Sequence, residues 1–136
     1  MPVNIERLVD ERIIIFRMYV QADPDEDQKT LLKAVIEFKH EVGGHICRIM
    51  DFSEVQVGFS DMMLGMASEK EKEGGVNDPD VSTVFIATTE LAQFGVKAFQ
   101  EQTQYGSFRN IVALVSSREE AMTAARAEIA KWQTEK

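Results

Sequence analysis

Cysteine occurs once in this chain, at Cys47. A lone thiol excludes an internal disulfide framework and suits a reducing compartment. Basic residues are also scarce: 15 Lys and Arg stand against 23 Asp and Glu, for a formal net charge of −8 and a pI of about 4.8. Phosphate contacts need a basic face, so this balance argues against nucleic acid as a partner. It equally disfavours an anionic membrane surface. No segment approaches the roughly 18 consecutive apolar residues that span a bilayer, so no membrane span is expected. Residues Met1-Pro2-Val3-Asn4-Ile5-Glu6 have neither the basic start nor the apolar run of a signal peptide, and a cytoplasmic protein is the expectation. A Gly-rich phosphate loop of the P-loop or dinucleotide type is also missing. Gly43-Gly44 and Gly74-Gly75 follow expected helices and read as stops.

What is present is an ordinary globular composition. The chain has 136 residues, 44% hydrophobic and 28% charged, which suits one domain over 1–136 with a sizeable core. Val3 to Val9 alternates weakly and reads as an edge strand, with a tight turn at Asp10-Glu11. Arg12 to Gln21 is the strongest strand, and the two are expected to pair as an antiparallel hairpin. Asp23-Pro24-Asp25-Glu26-Asp27 reads as a helix start, with Leu31, Leu32, Val35, Ile36 and Val42 as its stripe. A strand follows at Ile46 to Phe52. A central helix starts near Ser60 and ends in the charge run Glu69-Lys70-Glu71-Lys72-Glu73. Val76 to Asp80 is a loop and Ser82 to Thr88 a strand. Thr88 or Thr89 caps a helix carrying Leu91, Phe94, Gly95, Ala98 and Phe99, which Tyr105-Gly106 ends. Asn110 to Val115 is the last strand. Ser117-Arg118-Glu119-Glu120 forms a capping box for a final helix with Ala121, Met122, Ala125, Ile129 and Trp132 along one stripe.

The order β-β-α-β-α-β-α-β-α predicts an α/β fold: a mixed, mostly parallel five-stranded sheet with four helices. Parallel strands covered on both faces read as continuous apolar runs. Here polar groups recur at alternate positions: if the helices all pack on one face, the face showing Ile15, Arg17, Tyr19, Arg48 and Met50 is only partly covered, and the other reading is that the N-terminal strand and loops cover it. Arg17, Tyr19 and Arg48 make that face a candidate homodimer surface, because a half-apolar face is costly to leave wet.

The stretch from Met50 to Met66 organises the functional reading. It is a strand end, a loop and a helix start, the kind of junction where sites gather in open α/β sheets. With the order of elements, it resembles the SpoIIAA-like (STAS-like) family, over roughly Val3 to Trp132. The family's fold is a β–α superhelix. It includes anti-sigma-factor antagonists, whose motif runs Asp-x-Ser-Gly-Val, then Asp-Ser-Ser-Gly-Leu. Asp51, Ser53 and Val55 match the first part, and Ser60 the first Ser of the second. Glu54 stands in place of the Gly, Phe59 in place of the Asp, Asp61 in place of the phosphorylated Ser, and Met62-Met63 in place of Gly-Leu. The resemblance therefore implies a divergent, bacterial-type regulatory module without the antagonist's phosphoswitch.

Each candidate group has a plainer role beside the functional one. Ser60 serves as an N-cap, worth about 1 kcal/mol; a phosphate there would be stabilised by free N–H groups and the dipole. Asp61 is a first-turn acid, or a fixed charge where relatives carry phosphate. Asp51 and Glu54 form an acid pair for catalysis only if their environments separate their pKa values, and turn-forming is the simpler role. His40, His45 and Cys47 match no zinc spacing, so no metal site is expected. Cys47 reads as a buried thiol. The expected function is a non-enzymatic module that needs no cofactor. It binds an unidentified protein partner through Asp51, Ser53, Glu54, Ser60 and Asp61. The alternative is a small-molecule or lipid-binding domain whose pocket is lined by Met62, Met63, Met66, Phe94 and Phe99.

Overall fold

Residues 3–18, 24–54, 72–75, 78–88, 90 and 110–134 are described by the computed structural model. The apolar runs become five strands: β1 (Val3–Leu8), β2 (Ile13–Met18), β3 (Ile46–Asp51), β4 (Val81–Ile86) and β5 (Ile111–Val115). They form one mixed sheet in the order β1-β2-β3-β4-β5. β1 and β2 pair antiparallel, with Val3 opposite Met18 and Leu8 opposite Ile13. The pairings β2–β3, β3–β4 and β4–β5 are parallel. The expected tight turn is a 3-10 turn at Val9–Glu11, closed by Arg12 in the left-handed region at φ 62°. The Arg12 guanidinium donates to the Gly43 carbonyl, which ties this corner to the next helix.

Two α-helices lie among the described residues. α1 (Pro24–Val42) starts on a proline, whose fixed φ suits a first turn. It ends where Gly43 adopts φ 66° and donates its N–H to the Lys39 carbonyl at 3.0 Å. α2 (Arg118–Thr134) starts on the expected cap: the Glu120 N–H donates to Ser117 Oγ at 3.2 Å. The Glu120 carboxylate in turn accepts from the Ser116 and Ser117 hydroxyls, both at 3.1 Å. Where the sequence predicts four helices, the two starting at Ser60 and at Thr88 or Thr89 lie outside the described residues, apart from Lys72 and Glu73, which form a bend and a turn in place of the expected last helical turn, Thr88, which is not helical, and Glu90, which is. Among the described residues, no helix is long and apolar enough to cross a membrane.

The sheet is covered from both sides. Ile14, Phe16, Met18, Ile46, Met50, Val81 and Phe85 pack with Leu31, Val35 and Phe38 of α1. Ile13, Ile15, Cys47, Ile49, Val84 and Ile86 pack with Ala121, Ala125 and Ile129 of α2. Small residues on α2 let the helix lie close to the strands. This overturns the expected half-bare face. Ile15 is buried because α2 lies over it. Arg48 and Met50 belong to the other face, because the register sets Arg48 beside Ile14 and Met50 beside Phe16. Both are buried. Arg17 stays on the α2 side with Asp51 beside it, and Tyr19 lies outside the described residues. The surface proposed for self-association is thus not a surface: two of its residues lie on opposite faces, and Arg48 is in the core.

Candidate functional site

The parallel strands run the same way, so the sheet has an amino end and a carboxyl end, and polar groups gather at both. At the carboxyl end, β3 finishes on the buried Asp51. Its Oδ1 accepts the Ser53 N–H at 2.9 Å and the Ser53 hydroxyl at 2.6 Å. A carboxylate that bonds its own backbone two residues on makes a local turn. Its Oδ2 lies 3.6 Å from Arg17 Nε, on the neighbouring strand. A buried carboxylate needs such partners. The structure thus joins Arg17, Asp51 and Ser53 and leaves Ser53 and Glu54 exposed on the rim. Asp51 and Glu54 do not form an acid pair: one is clamped inside the turn and the other faces solvent. Ser60 and Asp61 lie outside the described residues, as do Met62, Met63, Met66, Phe94 and Phe99.

The amino end holds groups that no sequence motif marks. Asp78 is buried in the loop before β4. It accepts the Gly74 N–H at 2.8 Å, the Asp80 N–H at 2.9 Å and the Lys39 ammonium at 3.0 Å. Lys39 also meets Glu73 at 2.9 Å and Asp80 at 3.8 Å. Burial alone would raise the Asp78 pKa, but the two N–H groups and Lys39 outweigh it and hold the carboxyl below its ordinary 3.8. Arg48, fully buried, donates to Thr83 Oγ1 at 2.8 Å and to the Gly74 carbonyl at 3.3 Å.

His45, just before β3, lies toward α2. Its Nε2 is 2.6 Å from Ser82 Oγ, which donates to Glu128 at 3.1 Å. Trp132 donates its indole N–H to the same carboxylate oxygen at 2.8 Å and stacks on the imidazole, with ring centroids 3.9 Å apart. A hydroxyl this close to an imidazole resembles a nucleophile and its base. Two facts count against that chemistry. Ser82 is only 2% exposed. The carboxylate bonds the hydroxyl, whereas a triad carboxylate orients the imidazole. The group reads as a stitch between β3, β4 and α2.

His40 and Cys47 do not join His45. His40 is exposed on α1, 3.6 Å from Glu73. Cys47 is buried, which pushes its thiol up to about 12 with help from the Glu128 charge. Among the described residues, no group of three or more His, Cys, Asp or Glu is placed to hold a metal ion. The one sequence signal for the amino-end groups is polarity inside apolar strands: Arg48, Ser82 and Thr83 must find partners when buried. Comparison with protein-family models, curated proteins and solved structures finds no match to this chain.

Proposed function

We propose that the chain is a non-enzymatic regulatory module of the SpoIIAA-like type. It binds a protein partner at the carboxyl end of the sheet, through Ser53 and Glu54 on the rim and through Ser60 and Asp61 further along the sequence. The observation that carries this reading is the Asp51 clamp. It commits a buried carboxylate to holding the strand-to-loop junction, so Ser53 and Glu54 are presented in a fixed direction. Fixed polar groups on a rim suit recognition. In open α/β sheets, ligands bind outside the carboxyl ends of the strands. The partial motif Asp51-x-Ser53-x-Val55 supports the family assignment.

The test is recovery of partners from a bacterial lysate by tagged parent, Glu54→Lys and Asp61→Asn, each first shown to melt like the parent. A partner captured by the parent and lost by both variants is the expected result. Equal capture by all three proteins refutes the site. A native mass spectrum of fresh protein that shows a retained lipid or small molecule would favour the pocket of Met62, Met63, Met66, Phe94 and Phe99 instead.

A further inference from the structure

The stitch at the amino end has one loose thread. Among the described residues, His45 Nδ1 is the buried side-chain polar atom with no hydrogen-bond partner. Ser82 donates to Glu128, so its oxygen accepts from His45 Nε2, and the imidazole carries its proton there. Nδ1 is then a bare acceptor. The ring is 8% exposed and is covered by Trp132, with the planes 13° apart. Trp132 is itself 36% exposed, at the C-terminal end of α2. Arg12, Ile129 and Gln133 line the small open cleft beside the two rings.

We infer that His45 and Trp132 form a proton-operated latch: the neutral imidazole holds the last turns of α2 on the sheet, and its protonation releases them. A second proton must go on Nδ1, where the Pro79 backbone carbonyl can accept it but the charge lies in a nearly dry site. The charged groups facing the ring are Glu128 from α2, Asp80 and Asp78 from the loop before β4, and Arg12 from the corner before β2. The three carboxylates and the Pro79 backbone carbonyl favour the cation, and Arg12 opposes it. Burial outweighs the favourable groups and holds the imidazole below its ordinary 6.5.

The sign follows. With Trp132 lifted, the ring is wet and titrates near 6.5. The lifted form therefore binds protons more readily than the latched form. Its population rises as pH falls from 6.5 toward the lower pKa of the latched ring, then levels off. Opening becomes about tenfold more favourable for each unit that separates the two pKa values. The opening is local, because α2 is anchored further back by Ala121 and Ala125.

Trp132 is the chain's one tryptophan, so its fluorescence reports the latch directly. The experiment is a titration of the intact protein from about pH 7.5 to 5, read by emission and by hydrogen-exchange protection factors in 129–134. Expected is an emission change with a midpoint below 6.5 and a matching loss of protection, while 121–125 stays protected. His45→Gln should abolish both changes, and His40→Gln should keep them. Flat emission and protection in the parent, or a transition that survives His45→Gln, would overturn the inference. Should His45→Gln fold poorly, the proton resonances of the parent decide: a His45 ring that titrates below 6.5 together with Trp132 indole shifts of the same midpoint upholds the latch, and a ring that titrates at or above 6.5, or Trp132 resonances that do not move with it, refutes it.

Discussion

Removing the Asp78 carboxylate should be the most damaging polar change in the described structure. Its Oδ2 joins Lys39 on α1 to the Gly74 N–H, and its Oδ1 takes the Asp80 N–H. In Asp78→Ala, the buried Gly74 N–H loses its acceptor, at about 1–3 kcal/mol. Lys39 keeps Glu73 at 2.9 Å and Asp80 at 3.8 Å, so its loss is partial. Breaking a buried pair outright costs about 3–5 kcal/mol, and the retained partners place this variant near the lower end. We expect a loss of about 3 kcal/mol. Asp78→Asn keeps the shape and one acceptor, and should lose about 1–2 kcal/mol.

The pH dependence separates charge from shape. The folded carboxyl titrates below 3.8, so its contribution is complete above 3.8 and is lost as pH falls through the lower folded value. Burial pulls the Lys39 pKa down, but Glu73 and Asp78 outweigh it and raise the value above 10.5. The Lys39 share is therefore complete below 10.5 and is lost as pH rises through the folded value. The stability gap between parent and Asp78→Asn should be level from about pH 4 to 10 and shrink on either side. Urea unfolding followed by far-ultraviolet circular dichroism measures it. A loss under about 1 kcal/mol for Asp78→Ala, or a gap that does not narrow in acid, refutes the reasoning.

Four further changes probe backbone, packing and a helix cap, each read by thermal and urea unfolding. Gly74→Ala should cost about 2–4 kcal/mol: φ is +79°, and a Cβ would sit 3.3 Å from the Leu32 carbonyl and from Val35 and Ile36 side-chain atoms. Gly43→Ala, at φ +66° with nothing within 4 Å, should cost only about 1–2 kcal/mol, and an equal loss at both sites would disprove the close approach. Ala125→Leu should cost about 1–3 kcal/mol, because Ala125 is fully buried between α2 and the sheet. Ser117→Ala should cost about 1 kcal/mol through the lost cap of α2.

The strands were legible because β-branched apolar runs between turn residues have few other readings. Ile46 to Phe52 and Asn110 to Val115 each differ from the observed strand by one residue. The faces were not legible. Whether Arg48 shares a face with Ile15 or with Ile14 depends on which residues pair across β2 and β3, and neither strand's own alternation contains that. The stripe of α2 is legible at Ala121, Ala125 and Ile129, which are buried, whereas Trp132 lies at its edge. The partly covered face is filled because the small-residue stripe of α2 packs on it, and the helix sequence alone does not say which sheet face it covers. The His45–Ser82–Glu128 chain joins residues 37 and 46 positions apart, so no local spacing could reveal it. Ser82 and Thr83, polar residues inside a buried strand, are the available hint.

The two ends of β3 carry different jobs, and the strand keeps them apart. His45 precedes it and Asp51 ends it, with a rise of about 3.3 Å per residue between them, or about 20 Å in all. Substitutions more than about 7–10 Å apart with no shared partner add in their effects. Asp51 bonds Ser53 and faces Arg17, while His45 meets Ser82 and Trp132, and the two sets share no residue. The amino end is heavily cross-linked: Lys39 to Asp78, Arg48 to Thr83, Ser82 to Glu128. Among the described residues, the carboxyl end has one clamp and then an exposed rim. A molecule so arranged can loosen the end of α2 without disturbing the rim. His45→Gln should therefore leave partner recovery at neutral pH unchanged, and the stability losses of Asp51→Asn and His45→Gln should sum in the double variant. Partner recovery that follows the Trp132 emission change on acidification would show instead that the two ends are coupled through the sheet, and that the separation argued from these contacts is wrong.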